Sequence, residues 1–447
     1  MKINLTILAL IAVLLTSQAQ EKWSMEACIN YALEHHPRIG IQKERIVLSK
    51  QNYLEALGAL LPSIQTQIGA GFSFGSSRDY STQAITSNNT FSNQYQISAS
   101  LMLFDGLSSI HKLKMERIHQ KLSRNELQNQ QDQLSYEVVE AYLNLSYYEE
   151  TVQLAAQQVA TSQREWHKMQ RMAELGLVSR VETTEAAAKH AQDRYFQTQQ
   201  ENLRKIALIL LKEKLNYPLE EELHIEEIRP SYPVQACEES VSELFAQAVH
   251  YLPQALVAQN QADAQQMAFR GAKGGWFPRL SLVLGSSTNY FKYLNKKEDS
   301  AAQWSYRDQL KDNRGEFVQF NLSFPLFTGF GRSARVRRAK ANYQMARYEQ
   351  DQAWSKIYRD MEQSLADLQG QVADYAQAVE QEQALKIAHE VNIKKQQEGL
   401  IDPLQLSLSA NRLLAAQLDS LRSYHSYILK LKLYQYYKGI PYTQSSY

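Results

Sequence analysis

The sequence predicts two copies of one unit, in which a β-hairpin of membrane-barrel type is joined to long α-helical coiled coils, with four strands per chain. Three observations predict it. Chain breakers recur at matched intervals in the two halves: Pro37 and Pro62 are 25 residues apart, as are Pro253 and Pro278. Gly106 and Gly176 are separated by 70 residues, and so are Gly329 and Gly399. After Pro62 and again after Pro278 the apolar pattern changes from the helical period to a period of two, which places alternate side chains on opposite faces of a strand.

Composition sets the limits. The 447 residues carry 48 Lys plus Arg against 47 Asp plus Glu, a net charge of +1, so no basic footprint for nucleic acid exists at the level of the chain. Gly and Pro are scarce, at 17 and 10, as long uninterrupted helices require. Lys2, the apolar run Ile3 to Leu15 and the small residues around Ala19 read as a cleaved export signal over residues 1–19. No Cys stands at the cleavage point to carry a lipid. Two readings of the cysteines are open: Cys28 and Cys237 pair in an oxidising compartment, or Cys28 is a small buried residue of the helical stretch "MEACINYALEHHP".

The first repeat, 20–216, opens with a helix of about 34 residues ending at "LLP". A β-hairpin follows over about 62–104. Ile64, Thr66, Ile68, Ala70, Phe72 and Phe74 share one face, and Ser63, Gln65, Gln67, Gly69, Gly71 and Ser73 the other. Tyr95, Ile97, Ala99, Leu101 and Leu103 alternate likewise on the return. The stretch from Gly106 to Gly176 holds no other Gly and no Pro and is rich in helix-favouring Gln, Glu, Ala and Leu. It reads as a long helix, 107–175, of roughly 105 Å. A turn at 176–179 and a helix at 180–216 complete the unit.

A Pro-bearing linker, 217–238, leads to the second repeat, 239–438. This has its own opening helix, a hairpin over about 278–327, a long helix 330–398, a turn 399–403 and a helix 404–438. Leu280, Leu282 and Leu284 alternate with small or polar residues other than Val283, and Val318, Phe320 and Leu322 with Gln319 and Asn321. In each repeat two short helices stacked end to end match one long helix, which predicts an antiparallel coiled-coil wall. The linker and the tail 439–447 are then expected as a belt where the short helices meet.

Strands that are apolar on one side and uncharged polar on the other have the pattern of a transmembrane barrel. A soluble sandwich also alternates, but its wet face usually carries Lys and Glu. Four strands cannot close a barrel in lipid, where open edges leave costly unpaired backbone groups, so several chains must share one. The long polar hairpin loops, 75–91 and 287–315, belong outside an outer membrane, with the helices in the periplasm. Trp276, Phe277, Tyr290, Phe291, Tyr293 and Trp304 stand where an interfacial girdle would lie.

With "WSMEACINYALEHHPRI" near the start, "LFDG" and "LFTG" at the strand-to-helix joints, and "ELGLVSRVETTEAAA" and "QEGLIDPLQLSLSANRLLAA" at the helical turns, the chain resembles the TolC family of outer-membrane channel proteins over nearly all of its mature length. The resemblance implies a homotrimer with a twelve-stranded barrel in the outer membrane of a Gram-negative bacterium, extending into the periplasm as an α-helical tunnel. It also implies docking onto a periplasmic adaptor (membrane fusion) protein and an inner-membrane transporter of RND or ABC type. On this reading the chain is a passive duct for efflux of small molecules. The duct of a type I protein secretion system is the alternative of the same class, and a soluble periplasmic coiled-coil scaffold the alternative of a different one.

No catalytic constellation, metal-ligand spacing or phosphate loop stands out, and no enzyme activity or cofactor is expected. The tip of the duct falls at the turns Gly176, Leu177, Val178, Ser179 and Gly399, Leu400, Ile401, Asp402. Both glycines suit a helix C-terminus that turns through the left-handed region. The resemblance implies acidic residues six and nine positions after each turn glycine that narrow the tunnel. The first repeat holds Glu182 and Glu185 there; the second holds Gln405 and Leu408, leaving Asp402 as its nearby carboxylate. These carboxylates line the lumen or belong to a solvated helix face. Arg332, Arg335, Arg337 and Arg338, with Lys340, start the second long helix at the level of the inner leaflet, against the sense of the helix dipole. Contact with outer-membrane lipid headgroups and a solvated or ion-paired helix face are both open for them.

Overall fold

The alternation after Pro62 folds as one antiparallel sheet. A computed structural model describes residues 22–78, 83, 85–87, 89–228, 240–294 and 305–444. The export signal, Cys237, Trp304 and parts of the linker and of the second hairpin loop lie outside the described residues. The chain divides into two units, one of residues 45–123 and 258–350, the other of residues 1–44, 124–257 and 351–447.

The first of these units holds the strands β1 (Ser63–Ser73), β2 (Ser76–Arg78), β3 (Ile85–Ser87), β4 (Thr90–Phe104), β5 (Arg279–Tyr293) and β6 (Gly315–Ser323). The main sheet has the order β1-β4-β5-β6, and β2 and β3 form a separate ribbon in the first loop. The two hairpins therefore meet through their central strands. Register aligns the apolar residues: Ile64 faces Ala99, Ala99 faces Leu284 and Leu284 faces Val318, and the next row up runs Thr66, Ile97, Ser286, Glu316. Because register with period two keeps a row on one face, the whole sheet has one apolar and one polar side. β4 and β5 reach 15 residues, longer than the ten or so that the alternation suggests.

A short helix, Tyr306–Asp312, folds onto the loop end of the apolar face. There Tyr306 Oη lies 2.9 Å from Tyr95 Oη, and the Thr288 hydroxyl donates to the Leu310 carbonyl at 2.6 Å. Periodicity did not foretell this helix, whose seven residues hold few apolar side chains. On the polar face, the ring of Phe317 occupies the space where a Cβ on Gly285 would stand.

The helices are α1 (Met25–His35), α2 (Pro37–Gly58), α3 (Ser108–Glu174), α4 (Arg180–Leu215), α5 (Val241–Ala248), α6 (Pro253–Gly274), α7 (the Tyr306–Asp312 helix), α8 (Gly331–Gln397) and α9 (Pro403–Tyr437). Each expected opening helix is two helices, because a proline lacks the N–H that would continue the ladder and forces its predecessor into an extended conformation. His36, at φ −75° and ψ 129°, ends α1, and its Nδ1 accepts from the Arg38 N–H at 3.1 Å, capping α2. His35 and His36 thus serve a bend. α3 and α8 contain 67 residues each, about 100 Å of helix. Among the described residues no helix is long and apolar enough to cross a membrane.

The core of the second unit gathers Cys28 and Ile29 of α1, Leu134, Val138 and Tyr142 of α3, Leu211 and Leu215 of α4, and Ile428 of α9. Cys28 is fully buried, and burial pushes its thiol up to about 12, as for an inert packing residue. The Tyr142 hydroxyl lies 3.0 Å from the carbonyls of both Trp23 and Glu226, and Trp23 pairs with Ile225 in a short parallel bridge. Buried lysines hold the chain as it leaves each repeat: Lys212 donates to the carbonyls of Leu219 and Glu221, and Lys432 to that of Gln444 at 2.8 Å. The tail packs on α3 through Tyr442 and Tyr136, six positions from Tyr142 and near the middle of that helix.

Candidate functional site

Three features carry the functional argument, two in the unit that holds the sheet and one in the other. The first is the apolar face. Ile64, Ile68, Val318 and Phe320 are between 65% and 72% exposed, far more than a folded sheet normally leaves to water. Among the described residues β1 and β6 each have one unpaired edge.

The second feature is the joint between strands and helices. At "LFDG" and "LFTG" the chain takes two consecutive left-handed residues, Gly106 (φ 71°) with Leu107 (φ 66°), and Gly329 (φ 54°) with Phe330 (φ 59°). Leu107 and Phe330 hold conformations that cost a side-chain-bearing residue on the order of 1–2 kcal/mol each. Gly106 has a second constraint, since a Cβ there would run into the carbonyl of Gly274 at the end of α6. The Ser108 hydroxyl donates to the Gly271 carbonyl at 3.0 Å, which fastens α3 to α6. In the first repeat Asp105 caps α3 by accepting from the Ser109 N–H and hydroxyl at 2.8 and 2.6 Å. The matching residue of the second repeat is Thr328, which accepts from Arg332 Nε at 3.1 Å.

Arg332 is therefore committed. It also donates to the carbonyls of Gly275 and Pro325, and its guanidinium lies 5.2 Å from the centre of the Trp276 ring. Trp276, an expected girdle residue, is thus half of a clamp. Arg335, Arg337, Arg338 and Lys340 differ: they are exposed and have no partner among the described residues.

The third feature is the pair of helical turns. Gly176 (φ 71°) and Gly399 (φ 73°) close their helices in the same way. The N–H of Leu177 donates to the Met172 carbonyl and that of Gly176 to Ala173; Leu400 and Gly399 repeat this with Lys395 and Gln396. These are Schellman closures, which satisfy carbonyls the helix end would leave unpaired. Ser179 and Asp402 then cap the returning helices. Glu182 completes a capping box: its N–H donates to Ser179 Oγ at 3.3 Å, and its carboxylate accepts from the Ser179 N–H at 2.7 Å. Asp402 accepts from the Gln405 N–H at 2.7 Å, with Pro403 in the first turn. Two of the three expected gate carboxylates are thereby engaged in caps, while Glu185 is exposed.

Beyond the turns α4 and α9 meet at Lys189, whose Nζ lies 2.6 Å from Asn411 Oδ1 and 2.6 Å from Asp193. At the turns Leu175, Leu177, Val181, Leu400 and Leu404 are all more than half exposed. Sequence reading of the turns included Leu177 and Leu400 of this leucine rim but missed Leu175, Val181 and Leu404, because single leucines and valines at helix ends look like core residues. Among the described residues no three His, Cys, Asp or Glu side chains gather as a metal site.

A sheet with an exposed apolar face and two open edges, joined through left-handed glycine turns to two 67-residue helices, is an arrangement that this chain shares with solved outer-membrane channels. Solved structures agree across the chain. The Campylobacter jejuni CmeC outer membrane channel superposes with a TM-score of 0.79 at 13% identity, covering 94% of this chain and 87% of that one. The outer membrane protein VceC of Vibrio cholerae gives 0.78 at 14% identity, with 94% and 96% covered. The open state of the Neisseria gonorrhoeae MtrE outer membrane channel gives 0.69 at 16% identity, with 94% and 91% covered. In sequence, residues 28–216 match the family described as outer membrane efflux protein, and over nearly its whole length the chain has the TolC-like fold of the solved channels. Comparison with curated protein sequences finds no match.

Proposed function

We propose that the chain is one protomer of a homotrimeric, passive outer-membrane duct that carries small molecules out across the periplasm and the outer membrane. The observation that carries this reading is the four-stranded sheet with an exposed apolar face, whose charges Lys292 and Glu316 lie at its loop end, and two unpaired edges. In lipid such edges cost several kcal/mol for each unsatisfied backbone group, and joining β6 of one copy to β1 of the next removes them. Three copies give the twelve strands that the resemblance implies. A soluble scaffold would expose the same apolar face to water with nothing to cover it.

The turns at Gly176 and Gly399 are, on this reading, the periplasmic tip, where the leucine rim offers an apolar surface to a periplasmic adaptor. Energy comes from an inner-membrane transporter of the RND or ABC class, since the chain itself holds no nucleotide loop. Fractionation of cells expressing the protein tests the reading. A detergent-requiring trimer in the outer membrane, which shifts on gels after heating, is expected; release of monomer into the soluble periplasmic fraction would overturn it.

A further inference from the structure

We propose that Arg335, Arg337, Arg338 and Lys340, at the start of α8, bind the anionic phospholipid headgroups of the membrane leaflet that borders the helical end of the sheet. This rests on the reading of the sheet as part of a shared membrane barrel and adds to it a ligand and a place.

The near-neutral chain conceals a strongly charged level. The four segments that connect sheet to helices, 45–62, 105–123, 258–278 and 324–350, together hold fourteen Lys and Arg against five Asp and Glu, although the whole chain is only +1. Between Glu316 and Glu349 there is no acidic residue at all. A solvated helix face normally mixes the two signs, and this one does not. Nor is the charge neutralised inside the unit: Arg332 is held by Thr328, Gly275, Pro325 and Trp276, while the four cations after it have no partner among the described residues.

A neighbouring copy brings as few acids to this level as the copy itself holds, five Asp and Glu against fourteen Lys and Arg. In a ring closed by rotation about the barrel axis the same residues of every copy lie at the same height. Each copy therefore presents its neighbours with the same cation-rich level. What stands next to this level is set by the residues just before it. Leu326, Phe327 and Phe330 are 93%, 82% and 84% exposed, and Phe330 holds a left-handed backbone conformation as it projects. An apolar rim followed within a few residues by unpaired cations matches the order met on leaving a bilayer: hydrocarbon first, then phosphate. Continuity with the rim is what selects a lipid headgroup over free phosphate or an acidic protein.

Native mass spectrometry of the detergent-solubilised wild-type trimer, offered phosphatidylglycerol and phosphatidylcholine of matched chains, tests the proposal. The wild type should retain phosphatidylglycerol in about tenfold preference, given the usual contribution of each juxtamembrane cation, and the preference should fall as salt is raised. The variant Arg335→Gln, Arg337→Gln, Arg338→Gln, Lys340→Gln should remain a trimer and lose most of the preference. A charge-matched control, Arg194→Gln, Lys205→Gln, Lys356→Gln, Lys386→Gln, should keep it. Equal preference in the first variant and the wild type, or no preference in the wild type at any salt, would overturn the headgroup site while leaving the duct intact. The wild-type arm decides the matter even where the variant does not fold. A wild-type chain that forms no trimer refutes the shared barrel itself, and this site with it.

Discussion

At the residue scale the expected functional groups divide into those used by the backbone and those left free. Glu182 and Asp402 stabilise helix starts, where an acidic group satisfies N–H groups and complements the dipole, and Arg332 secures a joint. Glu185, one turn further on, is exposed and without such a task. The two neighbouring glutamates should therefore respond differently to substitution. Glu182→Ala, which removes the acceptor of the Ser179 N–H, should loosen the first turn of α4 by up to about 1 kcal/mol, read as faster amide exchange at Ser179, with little change in conductance. Glu185→Gln should lower cation selectivity in single-channel recordings, most at low salt. The reverse assignment of effects would show that capping is not what Glu182 contributes.

Elements are held by rules that differ between the sheet and the helices. In the sheet the decisive quantity is which face a side chain occupies. Leu322 belongs to the exposed apolar face and Asn321 to the other, so Leu322→Arg should cost about 2–4 kcal/mol near mid-membrane and reduce the yield of heat-modifiable trimer. Asn321→Arg should be tolerated, and equal tolerance at both sites would sink the assignment of faces. Between α3 and α9 the decisive quantity is desolvation. His425 Nδ1 is committed to the Leu421 carbonyl, and its Nε2 faces the Glu150 carboxyl at 3.5 Å. Burial, reinforced by the charges of Glu227 and Glu149, pushes Glu150 up to about 7, while burial lowers His425. A raised carboxyl binds more protons folded than unfolded, so it takes stability away as pH rises from about 4.5 to about 7; the lowered histidine does the opposite up to about 6.5. Glu150→Gln removes the first effect only. The unfolding midpoint of this variant should gain on the wild type between about pH 4.5 and about pH 7 and level off above, and a constant difference across that range would remove Glu150 from the balance.

At the scale of the whole molecule the matched lengths matter most. α3 and α8 both contain 67 residues, and each is followed by a turn of the same geometry. Deleting Gln128 to Leu134 from α3 removes one heptad, keeps the apolar phase and shortens that helix alone by roughly 10 Å. The strands are untouched, so membrane insertion and trimer formation should survive. Export should fail, because the two turns no longer lie level for an adaptor to meet. Normal export from an inserted mutant of this kind would mean that matched length has no function.

By itself the sequence determined the repeat, the place of the helical turns and the face of each strand, because all three depend on short-range chemistry. Gly176 and Gly399 were legible since few residues other than glycine adopt a positive φ readily; Leu280, Leu282 and Leu284 since alternate residues of a strand must lie on one side. Tertiary structure decided what depends on groups distant in the chain. Nothing local marks Gly106 as the place where another backbone passes within the volume of a methyl group, and nothing in "GFGRSARVRRAK" separates Arg332, which meets Trp276 and Gly275 more than fifty positions away, from the three arginines that follow it. The order of the strands was hidden for the same reason. β4 and β5 are joined by some 175 residues of helix and linker, and only their shared apolar rows, once folded, make them neighbours.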